Sequence, residues 1–464
     1  MLNKAATNKL YTKSDFSRQK VENLSSQDER NEFGRDYARI IHNPAFRRLQ
    51  GKTQLFPSNE NDTFRNRMTH SLEVAQIARG IARALNKDYQ YFRKNPISTD
   101  LIEMVSLAHD LGHPPFGHDG EKELNRLMHN YGGFESNAQL LRIVSKLEKK
   151  VTRNKIENPE RDILGLNLTY RSLAGLLKYN REIPLKQKKG GFSFPKDEPT
   201  LSKGYYFSER DLVKQIKEYV GRNSNKKFKV IECYIMDLAD DIAYSTYDLE
   251  DSFKGGFLTP LDCVCFSQKK LHEIKNFLHE NGHTFTIQKI STILKETFLD
   301  EDLIKKLSDE NFLDNMKILK NASDKIAKDS KYRMDFTSRL VKKFMGGIQV
   351  ERPHNSFSKV KFTKKIEEKI LVLKSIAYLS LIKSPDFSIV AKRGKEIINY
   401  IFQKLVENPS MLPEDKKKIY DMYDLDYYKY RVISDFVSAM TDRYCVEFYS
   451  RLKSTNPQSI FKPL

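Results

Sequence analysis

Between Ala108 and Glu121 the chain reads Ala108-His109-Asp110-Leu111-Gly112-His113-Pro114-Pro115-Phe116-Gly117-His118-Asp119-Gly120-Glu121, and this run constrains the architecture more than any other. A helix can lead into it, because Asp100 to Leu111 carries Leu101, Ile102, Val105 and Ala108 on one face behind an N-cap at Ser98 or Thr99. No helix can run through it. Gly112 fits the left-handed position that closes a helix, and Pro114-Pro115 lacks the amide hydrogens that a continuing turn needs. The chain must therefore turn sharply where three His, two Asp and a Glu fall within fourteen positions. His109 lies four residues after Val105, so it projects from the inward face, with Asp110 at the same helix end. One His-Asp pair could be a cap. With His113, His118 and Glu121 in the following turn, capping alone is an insufficient account.

The flanking segments keep a helical period. A helix is expected from Asp28 to His42, and after a polar loop from Pro57 to Asn66 another begins at Arg67-Met68-Thr69-His70. Its apolar face is Val74, Ile77, Ala78, Ile81, Ala82 and Leu85, with His70 one turn before Val74. Phe134 to Lys150 and Leu173 to Asn180 read as helices, and a further one starts near Ser208 and closes at Gly221. Val230 to Phe253 is unusual in holding Asp237, Asp240, Asp241, Asp248, Glu250 and Asp251, since Asp is a poor helix-interior residue. Asp240, Tyr244 and Asp248 are spaced at i, i+4, i+8 and share one stripe, while Leu238-Ala239 and Ile242-Ala243 give Asp240-Asp241 apolar neighbours. Gly346 to Phe362 is the best hairpin, a smaller one is expected around Tyr205-Tyr206-Phe207, and a last long helix runs from Asp426 to Leu452. The fold class expected is mostly α, with small β-hairpins and helical additions at the C-terminal side.

Composition narrows the function classes. No apolar run approaches the ~18 residues of a membrane span, and the start lacks the apolar stretch of a signal peptide, so a cytoplasmic chain with no membrane partner is expected. Cys233, Cys263, Cys265 and Cys445 form no Cys-x-x-Cys pair, which argues against a zinc knuckle or a disulfide framework. A net charge of +19 fits anionic partners such as nucleotides, polyphosphate or nucleic acid, and equally a lysine-rich surface.

Joined in space, His70, His109, Asp110 and Asp240 would form a mixed nitrogen and oxygen site. Such a site suits Mg²⁺, Mn²⁺ or Fe²⁺, with positions left for water and phosphate.

The ordered pattern His, His-Asp, Asp on successive helices resembles the HD phosphohydrolase superfamily. Longer runs resemble its deoxynucleoside triphosphate triphosphohydrolase branch, the bacterial dGTPase family. They are Phe46-Arg47-Arg48-Leu49-Gln50-Gly51-Lys52-Thr53-Gln54, Arg67 to Gln76, His109 to Glu121, Gly133 to Gln139, Leu238 to Ser245 and Met440-Thr441-Asp442-Arg443-Tyr444. They extend over nearly the whole chain. The resemblance implies an HD-domain helical core and metal-dependent hydrolysis of a dNTP, with dGTP preferred, to deoxynucleoside and inorganic triphosphate. It implies His118 and Glu121 as the catalytic pair, and Gln54, Arg67, His113, Lys178, Tyr179, Tyr244 and Asp248 as substrate-binding residues. It also implies a homo-oligomer, a hexamer built from dimers, and leaves room for a nucleotide or single-stranded DNA effector. The family usually has Lys-Tyr-Pro where this chain has Lys178-Tyr179-Asn180, and residues 269–331 match nothing in its pattern. The organisation expected is a mobile arm over 1–27, a catalytic core over 28–260, and a helical region over 261–464 that completes the domain and its oligomer contacts. Two rival readings are an HD enzyme acting on another phosphoester and a basic nucleic-acid-binding protein with a regulatory HD site.

Overall fold

The computed structural model describes residues 8–22, 30–55, 64–153, 155–185, 199–221, 228–299, 305, 307, 311–382 and 385–453. Most of the polar loop read from Pro57, and part of the loop between Arg181 and Ser208, lie outside these residues. Helices dominate, and among the described residues the one named sheet pairs Ile348–Glu351 with Lys359–Phe362. Among the described residues the expected second hairpin is corrected to a single parallel bridge between Glu182 and Tyr205. Phe207 already begins a short 3₁₀ turn, which leaves no length for a strand.

The chain divides into two compact units. One comprises Met1–Asp237, Val350–Lys359 and Val390–Leu464. Its centre is the pair of helices Arg67–Asp88 and Thr99–Ala108, where Val74, Ile77, Ala78, Ile102 and Val105 are fully buried. At roughly 2 kcal/mol for each large aliphatic side chain removed from water, this face holds the two helices together. Gly175 of the helix Tyr170–Leu176 lies against Val105, with room for no side chain. A second cluster joins Leu124, Leu127 and Met128 to Ile398, Ile401, Phe402, Ile433, Phe436 and Val437. The helix Gly117–Leu127 is thereby fixed on C-terminal helices. Within the stretch expected as an arm, Leu10 and Tyr11 are buried, and Arg18 bonds Glu32 and Asp36 at 2.5 Å each.

Several buried charges are paired in networks. Arg171 pairs with Glu232 at 2.7 Å, and Tyr11 donates to the same Glu232 at 2.7 Å. Arg142 pairs with Asp435 at 2.8 Å and Glu209 at 3.1 Å. Such pairs fix geometry, because leaving either partner alone in the interior is costly.

The helix expected from Asp426 to Leu452 is broken. It ends at Ala439, Met440 is extended, and a new helix Asp442–Lys453 starts where Thr441 Oγ1 accepts from the Tyr444 amide at 3.2 Å. A Thr-Asp pair is a helix-start signal, here lost inside an otherwise helical pattern.

The other unit comprises Leu238–Gln349 and Val360–Ile389. Its helices enclose Ile274, Leu278, Ile290, Leu294, Leu340 and Phe344, and the Phe298 and Phe336 rings stack at 5.8 Å. No helix among the described residues is long and apolar enough to cross a membrane.

Candidate metal centre and catalytic turn

The helix Arg67–Asp88 starts at Asn66, whose side chain accepts from the Thr69 amide at 3.0 Å while Thr69 Oγ1 accepts from the Asn66 amide at 3.1 Å. This capping box sets the first turn, so that His70 enters on the buried face. The second helix is capped by Ser98, which accepts from Leu101, and ends at Ala108 with His109 at its C-cap. The two helices bring His70, His109 and Asp110 together, all three buried, with candidate ligand atoms within 4.8 Å of one another.

Their surroundings fit a divalent cation. His109 Nδ1 donates to the Ser106 carbonyl at 2.7 Å, so a neutral imidazole carries its lone pair on Nε2. That nitrogen lies 3.4 Å from Asp110 Oδ1. Two electron-rich atoms this close in a buried site repel each other unless a cation or proton joins them. The Asp110 carboxylate also meets His113 Nδ1 at 3.0 Å and, through Oδ2, Arg67 Nη1 at 2.7 Å. Burial works to raise its carboxyl, but His113, His109 and Arg67 hold it well below the usual carboxylate range. Burial and then Arg67 push the His113 imidazole below its ordinary value, against the pull of Asp110.

The turn that follows is built differently from the sequence reading. Gly112 is not among the residues of positive φ, so it does not close the helix in a left-handed conformation. It is small because the backbone of Ser136 crosses it, and a Cβ there would lie 1.9 Å from the Ser136 carbonyl oxygen. The left-handed positions are Phe116, with φ 59°, and Gly117, with φ 57°. A phenylalanine in this region stores about 1–3 kcal/mol of strain, which the surroundings must hold.

After the turn, His118 is largely exposed and its Nδ1 lies 3.2 Å from Glu121 Oε2. Glu121 is buried, and its other oxygen accepts from the Ser136 amide at 2.8 Å. Burial opposes ionisation, yet the hydrogen bond from His118, the nearby His113 and the Ser136 amide together hold the Glu121 carboxyl at about 2. The two groups adjoin: the His113 and His118 rings are 5.4 Å apart, and His113 touches Asp110.

The other expected site residues fall in several places. Gln54 keeps a buried Oε1 without a hydrogen-bond partner among the described residues. Arg67 is committed through Nη1 to Asp110, while its buried Nε has no hydrogen-bond partner among the described residues. Lys178 pairs with Asp237 at 2.9 Å, and Lys203 lies over the Tyr179 ring at 5.4 Å. Asp240, Tyr244 and Asp248 belong to the other unit, on the helix Ile231–Lys254. Asp240 is half-buried and Asp248 buried. Burial first, then Asp248 and Asp240, raise the Tyr244 hydroxyl. Asp241 pairs with Lys374 at 2.5 Å.

Two residues received no role from the sequence. Lys52 is buried and donates to the His113 carbonyl at 2.6 Å and the Ser438 carbonyl at 2.9 Å. Burial, with Arg48 adding to it, lowers its ammonium to about 7. Asp442 accepts from the Thr53 and Phe116 amides. Both stand inside quoted motifs, but nothing in a motif says which backbone groups a side chain will meet.

A helical core with a buried His, His-Asp cluster beside a His-Glu pair defines an HD-domain phosphohydrolase. Residues 67–182 match the family model of the HD domain, and residues 360–451 that of the phosphohydrolase-associated domain. The deoxyguanosinetriphosphate triphosphohydrolase-like protein 2 of Mesorhizobium japonicum is 38% identical, over 98% of this chain and 100% of its own length. Deoxyguanosinetriphosphate triphosphohydrolase-like proteins of Rickettsia felis and Shewanella loihica are 32% and 31% identical, over 93% and 95% of this chain and 94% and 96% of their own. The chain belongs to this deoxyguanosinetriphosphate triphosphohydrolase-like family of HD-domain proteins.

Proposed function

We propose that the protein hydrolyses deoxynucleoside triphosphates, dGTP preferentially, to deoxynucleoside and inorganic triphosphate. The observation that carries the reading is the His118–Glu121 pair, which adjoins the His70, His109 and Asp110 cluster through the His113–Asp110 contact. The names of the relatives supply the substrate class.

His70, His109 and Asp110 would hold a divalent ion, Mg²⁺, Mn²⁺ or Fe²⁺, and the sequence pattern adds Asp240 to this set. Such an ion supplies Lewis acidity toward the α-phosphate and toward water. The protein's own groups do the rest. Water attacks the α-phosphorus, the bond from phosphorus to O5′ breaks, and the His118 imidazolium gives its proton to the departing O5′. Ionised Glu121 keeps that imidazole oriented. Arg67 and the net charge of +19 balance the polyphosphate. Gln54 Oε1 offers an acceptor for a sugar hydroxyl. Tyr244 and Asp248 toward the sugar, and Lys178 and Tyr179 as substrate-binding residues, are assigned on the sequence pattern.

Incubating each of the four dNTPs in ¹⁸O-water tests this. Label is expected in the triphosphate, with no labelled nucleoside. Release of dNMP or stepwise release of phosphate would overturn the reading.

A further inference from the structure

We infer that Asp442 is a positioning residue that ties the catalytic turn to the Gln54 segment through one carboxylate. The inference rests on the reading of His118 as the proton donor. Asp442 Oδ1 accepts from the Phe116 amide at 3.0 Å and Oδ2 from the Thr53 amide at 2.9 Å. Phe116 is the strained left-handed residue two positions before His118, and Thr53 directly precedes Gln54. Both segments are therefore registered on the same rigid group.

The anchor itself is well held. Asp442 opens the helix Asp442–Lys453, whose Cys445, Phe448 and Tyr449 are buried in the C-terminal cluster. The segment just before it holds the other end of the turn, because Lys52 Nζ bridges the His113 and Ser438 carbonyls. The Phe116 ring also lies on Gly394, where a Cβ would come within 2.8 Å of Cγ. The close passage of Gly51 past Thr441, where a Cβ would meet Cγ2 at 2.8 Å, brings the Thr53 segment to the same helix start. Asp442 does this without touching a reacting group. Its carboxylate presents an acceptor to each amide, whereas an asparagine of the same shape keeps one acceptor and turns an NH₂ group toward the other N–H.

The test compares wild type, D442N and D442E, alone and combined with H118A. It measures bound metal, kcat and KM, and amide hydrogen exchange in peptides covering residues 49–55 and 111–120. D442N should keep its metal, raise KM through the displaced Gln54 segment, lose about 10-fold or more in kcat, and exchange faster in both peptides. In the H118A background the same substitution should cost less than about twofold in kcat, since a misplaced donor that is already absent costs nothing further. If D442N does not fold, D442E carries the same cycle, because its added methylene moves both acceptors. Unchanged kcat and exchange would overturn the inference, as would losses that multiply with H118A, which mark a merely structural role. If H118A itself keeps full activity, the reading of His118 fails separately, and the two exchange peptides decide the tie on their own.

Discussion

The Arg67 guanidinium lies 2.7 Å from Asp110 Oδ2, and both side chains are buried. The sequence placed Arg67 near a phosphate. The geometry gives it a prior partner, so its substitution should act on the cluster as well as on substrate. R67Q should cost up to roughly 3 kcal/mol, because removing one member of a buried pair leaves Asp110 with only its imidazole neighbours. It should also lower bound metal. Thermal melts and elemental analysis of the purified variant check both, and a variant as stable as wild type would show that the pair contributes nothing.

Asp240 and Asp241 are chemically identical neighbours that the sequence could not separate beyond their faces. Asp241 is paired with Lys374, a partly exposed contact worth at most about 1 kcal/mol. D241N should therefore keep metal content and hydrolysis within about twofold of wild type. D240N should lose bound metal. The opposite result would exchange their roles.

Glu121 and Glu135 should give opposite pH dependence. The Glu121 carboxyl is held at about 2, below its unfolded value, so its stabilisation is present above about pH 4.5 and is lost as pH falls through about 2. The difference corresponds to roughly 3 kcal/mol for this buried group. Glu135, raised by burial to about 7, binds its proton more tightly when folded, and stability on its account declines as pH rises from about 4.5 to 7. E121Q should flatten the acidic limb of a denaturation series, and E135Q the limb near neutrality. Limbs unchanged by either substitution would refute that assignment.

What the sequence made legible was whatever depends on local period and local chemistry. The buried faces of the helices at His70 and His109 followed from apolar spacing, and an N-cap at Ser98 or Thr99, which the structure resolves to Ser98, from residue type. Long-range partners were invisible. Arg142 meets Asp435 and Lys52 meets Ser438 only because distant segments fold together. The left-handed Phe116 was missed because propensity assigns that conformation to Gly112 or Gly117. The break at Met440 was missed because the apolar period continues across it.

Assembly rests on the family pattern alone, and the protein is expected to be a hexamer. Sedimentation at micromolar concentration should show a species near six times the 54.2 kDa chain. A stable monomer that hydrolyses dNTPs at full rate would dismiss it.

Gly112 gives the sharpest test of how the turn is built. If it were a helix-closing glycine with freedom of φ, alanine would be mildly unfavourable. In the structure the obstacle is the Ser136 backbone, 1.9 Å from the added Cβ, which no rotamer change relieves. G112A should therefore cost about 3 kcal/mol or more, at the severe end of overpacking. Gly346, whose nearest neighbour to a Cβ is 3.4 Å away at ordinary negative φ, is the control and should tolerate alanine. The effect should also reach activity, because the Ser136 amide holds Glu121 Oε1, and Glu121 holds His118. Any folded G112A should show a fall in kcat beyond its loss of folded fraction, and a G112A protein as active and stable as G346A would mean that Ser136 does not set the position of Glu121.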